Sequence, residues 1–124
     1  MRVYYQDTDA GGVVFHAQYL AFMERARTEL LNETGLDLVR IAEEQRIQLL
    51  VFKLAVRYRK PARLNDMLSV SAEVAKMGRA SLVFRQRVER DRELLVEADI
   101  TLAAVDRDRM TPTRFPQELE QALK

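Results

Sequence analysis

The chain has 124 residues, 48% of them hydrophobic and 31% charged, which is the size and balance of one globular domain over residues 1–124 and not of a disordered segment. Its 20 basic and 19 acidic side chains nearly cancel, which argues against nucleic acid as the main partner. It has no cysteine, so disulfides, thiolate metal sites and a cysteine nucleophile are excluded, and a cytoplasmic location is expected. The N-terminus lacks the apolar core of a signal peptide, and polar residues break the apolar runs, so no membrane span is expected.

Arg2 to Tyr5, rich in valine and tyrosine, predicts a short strand. Asp7 to Gly12 reads as a loop, because aspartate and glycine favour turns. From about Ala17 to Asn32 the spacing of Tyr19, Phe22, Met23, Ala26 and Leu30 predicts a helix. Leu20, Ala21 and Leu31 widen its apolar face, which predicts an enclosed helix. Gly35 is a stop signal, and Asp37 is placed to cap a second helix reaching about Gln45. The period then changes to two. Leu50 to Tyr58, Leu68 to Val74, Leu82 to Val88 and Leu94 to Ala104 each alternate as strands. Pro61 with Asn65-Asp66, Met77-Gly78 and Asp91-Arg92 supply the turns, and short connections predict an antiparallel meander or a near relative of one. Gln117 to Lys124 predicts a last helical turn. The outline is an α+β domain of about five antiparallel strands around one helix. Val83, Leu95, Ala103 and Val105 stand on the outer sheet face and point to self-association.

Chemistry concentrates in the stretch from Tyr4 to Tyr19, which holds the only histidine and two of the four glycines. Asp7 and Asp9 are ordinary turn residues on type alone. The context adds more. Asp9 precedes Gly11-Gly12, where backbone can approach a ligand closely, and the turn leads to a helix start with no capping side chain between Val13 and Tyr19. Free N–H groups there can polarise a carbonyl oxygen. His16 has no partners at metal-ligand spacing and no Gly-x-Ser-x-Gly serine to serve, so its main-chain N–H matters before its ring. Neither dinucleotide nor P-loop fingerprint is present. A basic cluster, Arg57, Arg59, Lys60 and Arg63 with Lys76 and Arg79, reads either as a solvated rim or as a clamp for a phosphate-bearing tail.

The stretch Arg2-Val3-Tyr4-Tyr5, Asp7-Thr8-Asp9-Ala10-Gly11-Gly12-Val13-Val14, His16-Ala17 and Tyr19, followed by Phe22 and Glu24-Arg25-Ala26-Arg27-Thr28-Glu29, resembles the acyl-CoA thioesterases of the 4-hydroxybenzoyl-CoA thioesterase type, in the YbgC-like branch. Tyr58, Pro61-Ala62-Arg63-Leu64, Asp66, Ser81-Leu82-Val83-Phe84 and the segment from Pro112 to Pro116 extend the match over nearly the whole chain. Gln6 departs from it, standing where an acid is common. The resemblance implies the hot-dog fold, a five-stranded antiparallel sheet wrapped around a long central helix, in homodimers or homotetramers. It implies hydrolysis of an acyl-CoA thioester, with Asp9 as nucleophile or general base and the His16 N–H as oxyanion donor. Arg63 and Arg79 look like contacts for the CoA phosphates, and Gly12 and Tyr19 like substrate-binding positions. Coenzyme A is then part of the substrate and no cofactor or metal is expected; an acyl-carrier-protein thioester is an alternative substrate. Two rivals are a hydratase of the same fold, disfavoured because no histidine–acid pair sits on the helix, and a non-catalytic module that binds acyl-CoA or a protein partner.

Overall fold

The computed structural model describes residues 1–123. In chain order it forms a 3-10 turn over Tyr5–Asp7, helices α1 (Gln18–Glu33) and α2 (Leu38–Gln45), strands β1 (Ile47–Tyr58), β2 (Ser69–Met77), β3 (Ser81–Arg90) and β4 (Glu93–Asp106), and a short helix α3 (Gln117–Ala122). The four strands make one antiparallel sheet in the order β1-β4-β3-β2. Among the described residues no helix is long and apolar enough to cross a membrane.

The expected strand count is corrected. The fifth strand, expected over Arg2 to Tyr5, is reduced to one antiparallel bridge between Arg2 and Met67. The Asp7 carboxylate accepts the Tyr4 N–H at 3.0 Å, and the Asp7 N–H reaches back to the Tyr4 carbonyl at 3.0 Å. These local bonds wind Tyr5 to Asp7 into a turn and override the strand preference of the tyrosines. The sheet is a near relative of a meander: β2, β3 and β4 follow one another, while β1 pairs with β4 and not with β2. The connection from Arg59 to Leu68 must therefore cross the end of the sheet, and it carries Pro61, Ala62 and Arg63 past the start of α1.

Alternation builds the core. Leu82, Phe84 and Val88 of β3 and Val96, Ala98, Ile100, Leu102 and Ala104 of β4 are buried on one face. Helix α1 packs against β2 and β3, burying Tyr19, Phe22, Met23, Arg27 and Leu31 at helical spacing. Its opposite side, with Glu24, Arg25, Thr28 and Glu29, is exposed, so within one chain the helix lies on the sheet and is not enclosed by it. It ends at Gly35, whose φ of +81° favours a residue without Cβ. Asp37 caps α2 as expected, accepting the Arg40 N–H at 3.0 Å. Of the four apolar residues expected on the outer face, Leu95 and Val105 are buried within the chain, because β4 bulges opposite β3 at that end and the 111–113 segment covers the other. Exposure concentrates instead on β1, at the sheet edge: Val51, Phe52, Leu54 and Tyr58 are each 45% or more exposed.

Candidate active site

The loop before α1 is a tight, closed hairpin. Thr8 bridges Val14, the Asp9 N–H donates to the Val13 carbonyl at 2.9 Å, and the Phe15 N–H donates to the Asp7 carbonyl at 3.0 Å. Inside it the two aspartates separate. Asp7 is 4% exposed, and its carboxylate accepts both the Tyr4 N–H and the Gln18 side-chain amide, each at 3.0 Å. Asp9 is exposed at the tip. One of its oxygens accepts the Gly11 N–H at 2.8 Å, and the other has no protein partner among the described residues. Gly12 closes the turn with φ at +78° and donates its N–H to the Asp9 carbonyl at 3.0 Å. The space around it is open, so its backbone angle, and not crowding, calls for glycine.

The hairpin docks on the crossing connection through a Val14 N–H bond to the Ala62 carbonyl at 2.8 Å and a bridge between Val13 and Arg63. This delivers the start of α1 to the end of β1. Ala17 occupies the N-cap position and makes no side-chain cap. The main-chain N–H groups of His16 and Ala17 have no acceptor among the described residues, so donors of the kind found at every helix start are left open here. A pocket of about 260 Å³ lies at this corner, lined by Val14, His16, Tyr19, Tyr58, Arg59, Lys60 and Pro61. Tyr19 is buried and its hydroxyl accepts the Ala62 N–H at 2.9 Å. Its ring meets that of Tyr58 edge-on, with centroids 5.6 Å apart. The Tyr58 hydroxyl donates to the His16 carbonyl at 2.9 Å. Burial pushes both phenols above their ordinary range, so both keep their protons at neutral pH. The His16 ring is exposed and tilted against Phe15.

The basic cluster resolves into paired and open members. Arg59 binds Glu97 and Lys60 binds Glu93, each at 2.6 Å, and Arg57 stands 3.7 Å from Glu97. Arg63 and Arg79 make no ion pair within 4.0 Å among the described residues, and both are exposed. Beside Arg63, Asp66 receives the Arg63 N–H at 2.8 Å and the Arg90 guanidinium at 2.7 Å. Burial alone would raise the Asp66 carboxyl, but these bonds outweigh it and hold it below its usual range.

One chain thus brings His16 and Tyr19 into a single pocket, with Gly12 and Arg63 on the adjoining loop and connection. Asp9 is outside that lining. Arg79 does not reach it: it sits in the turn between β2 and β3, where its carbonyl accepts the Phe115 N–H at 2.9 Å. Arg63 is tied through Asp66 to Arg90, at the other end of β3. A strand of 10 residues separates the two ends by about 30 Å. Sequence reasoning placed Tyr58 on a strand face but gave it no part in the site. Tyr58 closes its strand just before Arg59-Lys60-Pro61, but nothing local marks its contact with His16, which spans 42 positions. Gln18 was overlooked for the same kind of reason. Among the described residues no three histidine or carboxylate side chains gather as metal ligands.

The model of the family described as "Thioesterase superfamily" matches residues 11–97, which is most of the chain and includes the glycine turn, the helix start, the pocket and both open arginines. The chain belongs to the thioesterase superfamily. This thioesterase is 44% identical over 122 residues to the acyl-CoA thioesterase YbgC of Haemophilus influenzae, spanning 98% of this chain and 90% of that protein. It is 45% identical over 125 residues to the acyl-CoA thioester hydrolase YbgC of Escherichia coli O157:H7, spanning 100% of this chain and 92% of that protein. Among solved structures it is similar to a probable thioesterase from Bartonella henselae, with a TM-score of 0.87, 30% identity and coverage of 94% of this chain and 95% of that one. The hot-dog fold is thereby established, with four strands where five were expected. The thioesterase is an enzyme that hydrolyses thioesters, and the hydratase and the non-catalytic module are set aside.

Proposed function

We propose that this thioesterase hydrolyses acyl-CoA to the free acid and CoA, with Asp9 as the reactive carboxylate and the His16 N–H as oxyanion donor. The observation that carries this reading is the helix start: uncapped, with the His16 and Ala17 N–H groups unpartnered among the described residues and His16 lining a pocket walled by Val14, Tyr19, Tyr58 and Pro61. It fits the similarity to acyl-CoA thioesterases at 44% and 45% identity.

The thioester carbonyl docks with its oxygen on the His16 N–H, where the dipole of α1 adds to the hydrogen bond. Asp9 acts in one of two ways. As general base, it takes a proton from water while the resulting hydroxide adds to the carbonyl carbon. As nucleophile, it adds directly, and water later opens the mixed anhydride. In both, negative charge gathers on the carbonyl oxygen, the C–S bond breaks, and CoA leaves as a thiolate that is then protonated. The Gly11 N–H holds one Asp9 oxygen at 2.8 Å, which orients the free oxygen for either role. Losing one oxyanion donor costs about 3 kcal/mol of transition-state stabilisation in comparable sites. Val14, Tyr19, Tyr58 and Pro61 offer an apolar or aromatic acyl group a matching wall. Arg63 meets the phosphates, and Gly12 leaves room for the chain of the substrate at the turn. The pantetheine arm is the same on CoA and on an acyl carrier protein, so both carriers belong in the substrate panel. The chemistry requires no cofactor.

The site is completed by a second copy of the chain. The exposed apolar edge at β1 gives such a copy its docking surface, and Arg79, too far from Asp9 within one chain, then comes from the partner. A homodimer or homotetramer working in the cytoplasm is the resulting form. The test is Asp9→Asn, with released CoA followed by a thiol-reactive dye across acyl-CoAs of different chain length. The expected loss in kcat is on the order of 100-fold or more. A variant that keeps near-wild-type turnover on every substrate sinks the assignment to Asp9.

A further inference from the structure

In a regular α-helix the carbonyl of residue 16 accepts the N–H of residue 20. Here it does not. The Leu20 N–H donates to the Ala17 carbonyl at 3.1 Å, and the Gln18 N–H to the Phe15 carbonyl at 2.9 Å. The first turn of α1 is therefore wound tightly, 3-10 fashion, and skips the His16 carbonyl. The Tyr58 hydroxyl, arriving from β1, donates to that skipped carbonyl at 2.9 Å.

We infer that Tyr58 is a positioning residue for the oxyanion donors: by taking up the His16 carbonyl it holds the 16–17 peptide in the tight winding that leaves the His16 and Ala17 N–H groups open at the helix start. This rests on the proposed role of the helix start and adds a residue to it.

Three observations support the inference. The tie is anchored at both ends, because the Tyr58 ring packs on Tyr19 at 5.6 Å, and Tyr19 is itself fixed by the Ala62 N–H at 2.9 Å. The same peptide that accepts from Tyr58 carries the Ala17 N–H, and a hydrogen bond at the carbonyl end of a peptide polarises the amide at its other end. The alternative state is also defined. Without the hydroxyl, the His16 carbonyl can recapture the Leu20 N–H, rewinding the turn as α-helix and rotating the peptide that carries the Ala17 N–H beside the His16 donor. Tyr58 therefore acts on the transition state, where the oxyanion forms, more than on bound substrate, whose carbonyl is only weakly polar.

The experiment is Tyr58→Phe, which keeps the ring against Tyr19 and removes only the hydroxyl. Steady-state kinetics should show kcat and kcat/KM falling together, on the order of tenfold, with KM unchanged. The thermal midpoint should move by only a few degrees. In amide NMR spectra the resonances of His16, Ala17 and Leu20 should shift more than those of the sheet, reporting the rewound turn. Wild-type kcat overturns the inference. So does a fall in kcat accompanied by a proportionate fall in thermal midpoint with no selective shift at those three amides, which is the pattern of a merely structural tyrosine. The outcome is separable from that of Asp9→Asn. An active Asp9→Asn beside an impaired Tyr58→Phe moves the reactive carboxylate and leaves the donors in place. An inactive Asp9→Asn beside an unimpaired Tyr58→Phe removes Tyr58 alone.

Discussion

A carboxylate taken out of water is tolerated only when its oxygens are matched, and Asp7 is matched at both, by the Tyr4 N–H and the Gln18 amide. Those two bonds join the turn at Tyr5–Asp7 to the first residue of α1, so Asp7 fixes where the helix begins and hence where the open donors lie. Asp9, two positions on, is exposed and spends only one oxygen on its own loop. The prediction is a division of labour. Asp7→Ala should lower stability by about 1–3 kcal/mol, because it strands two donors around a buried gap, while the folded fraction retains far more turnover than Asp9→Asn. Chemical denaturation paired with kcat corrected for the folded fraction checks this; an Asp7→Ala protein as stable as wild type but as inactive as Asp9→Asn would reverse the two roles. Sequence reasoning marked both acids and both glycines, because their types advertise a turn. It could not read Gln18 or Tyr58 as parts of the site, since a contact across 11 or 42 positions leaves no local trace.

The same limit appears between elements. The alternation of Leu82, Phe84 and Val88 made β3 legible but passed over Gln86, a polar residue that shares their inward face. The structure explains it. Gln86 is wholly buried; its carbonyl oxygen accepts from Arg27 of α1 at 2.7 Å, and its amide donates to the Met23 carbonyl at 2.9 Å and the Ser71 carbonyl at 3.3 Å. Arg27 is 8% exposed and makes no ion pair within 4.0 Å among the described residues, and burial lowers its pKa against the opposing pull of Glu24. One glutamine thus pins α1 to β2 and β3, and a register slip would leave a guanidinium unpaired. Gln86→Ala should cost about 3 kcal/mol, most of it the penalty of an orphaned buried charge. Adding Arg27→Met should restore much of that loss in urea denaturation, since an apolar pair carries no such penalty. A double variant no more stable than Gln86→Ala would mean that packing, not charge, dominates. Periodicity located α1, α2 and all four strands to within a few residues. It failed at Arg2 to Tyr5, where a side-chain bond beat strand propensity, and it left the neighbour of β1 open, because alternation says which face is buried and nothing about which strand lies beside it.

At the scale of the whole molecule, the two open arginines pose the sharpest question. Arg63 and Arg79 lie near opposite ends of β3, so a phosphate clamp made from both requires two chains. The free edge of β1, with Phe52 at 75% exposure, is where a second chain can add without disturbing existing pairs. If each site takes Asp9 from one chain and Arg79 from the other, lesions in the two residues should complement. Arg79→Ala alone should reduce kcat/KM about five- to tenfold through KM, by loss of one charge-assisted contact. In a mixed dimer of one Asp9→Asn chain and one Arg79→Ala chain, a cross-chain arrangement puts both lesions in one site and neither in the other. That dimer should show about half the wild-type rate at substrate concentrations well below KM, as two-fold symmetry requires. In a same-chain arrangement every site carries one lesion, and the rate is the mean of the two parent homodimers. Differently tagged chains, co-expressed and purified through both tags, separate the cases. A rate at the parental mean removes Arg79 from the shared site and leaves Arg63 as the phosphate contact that a single chain provides.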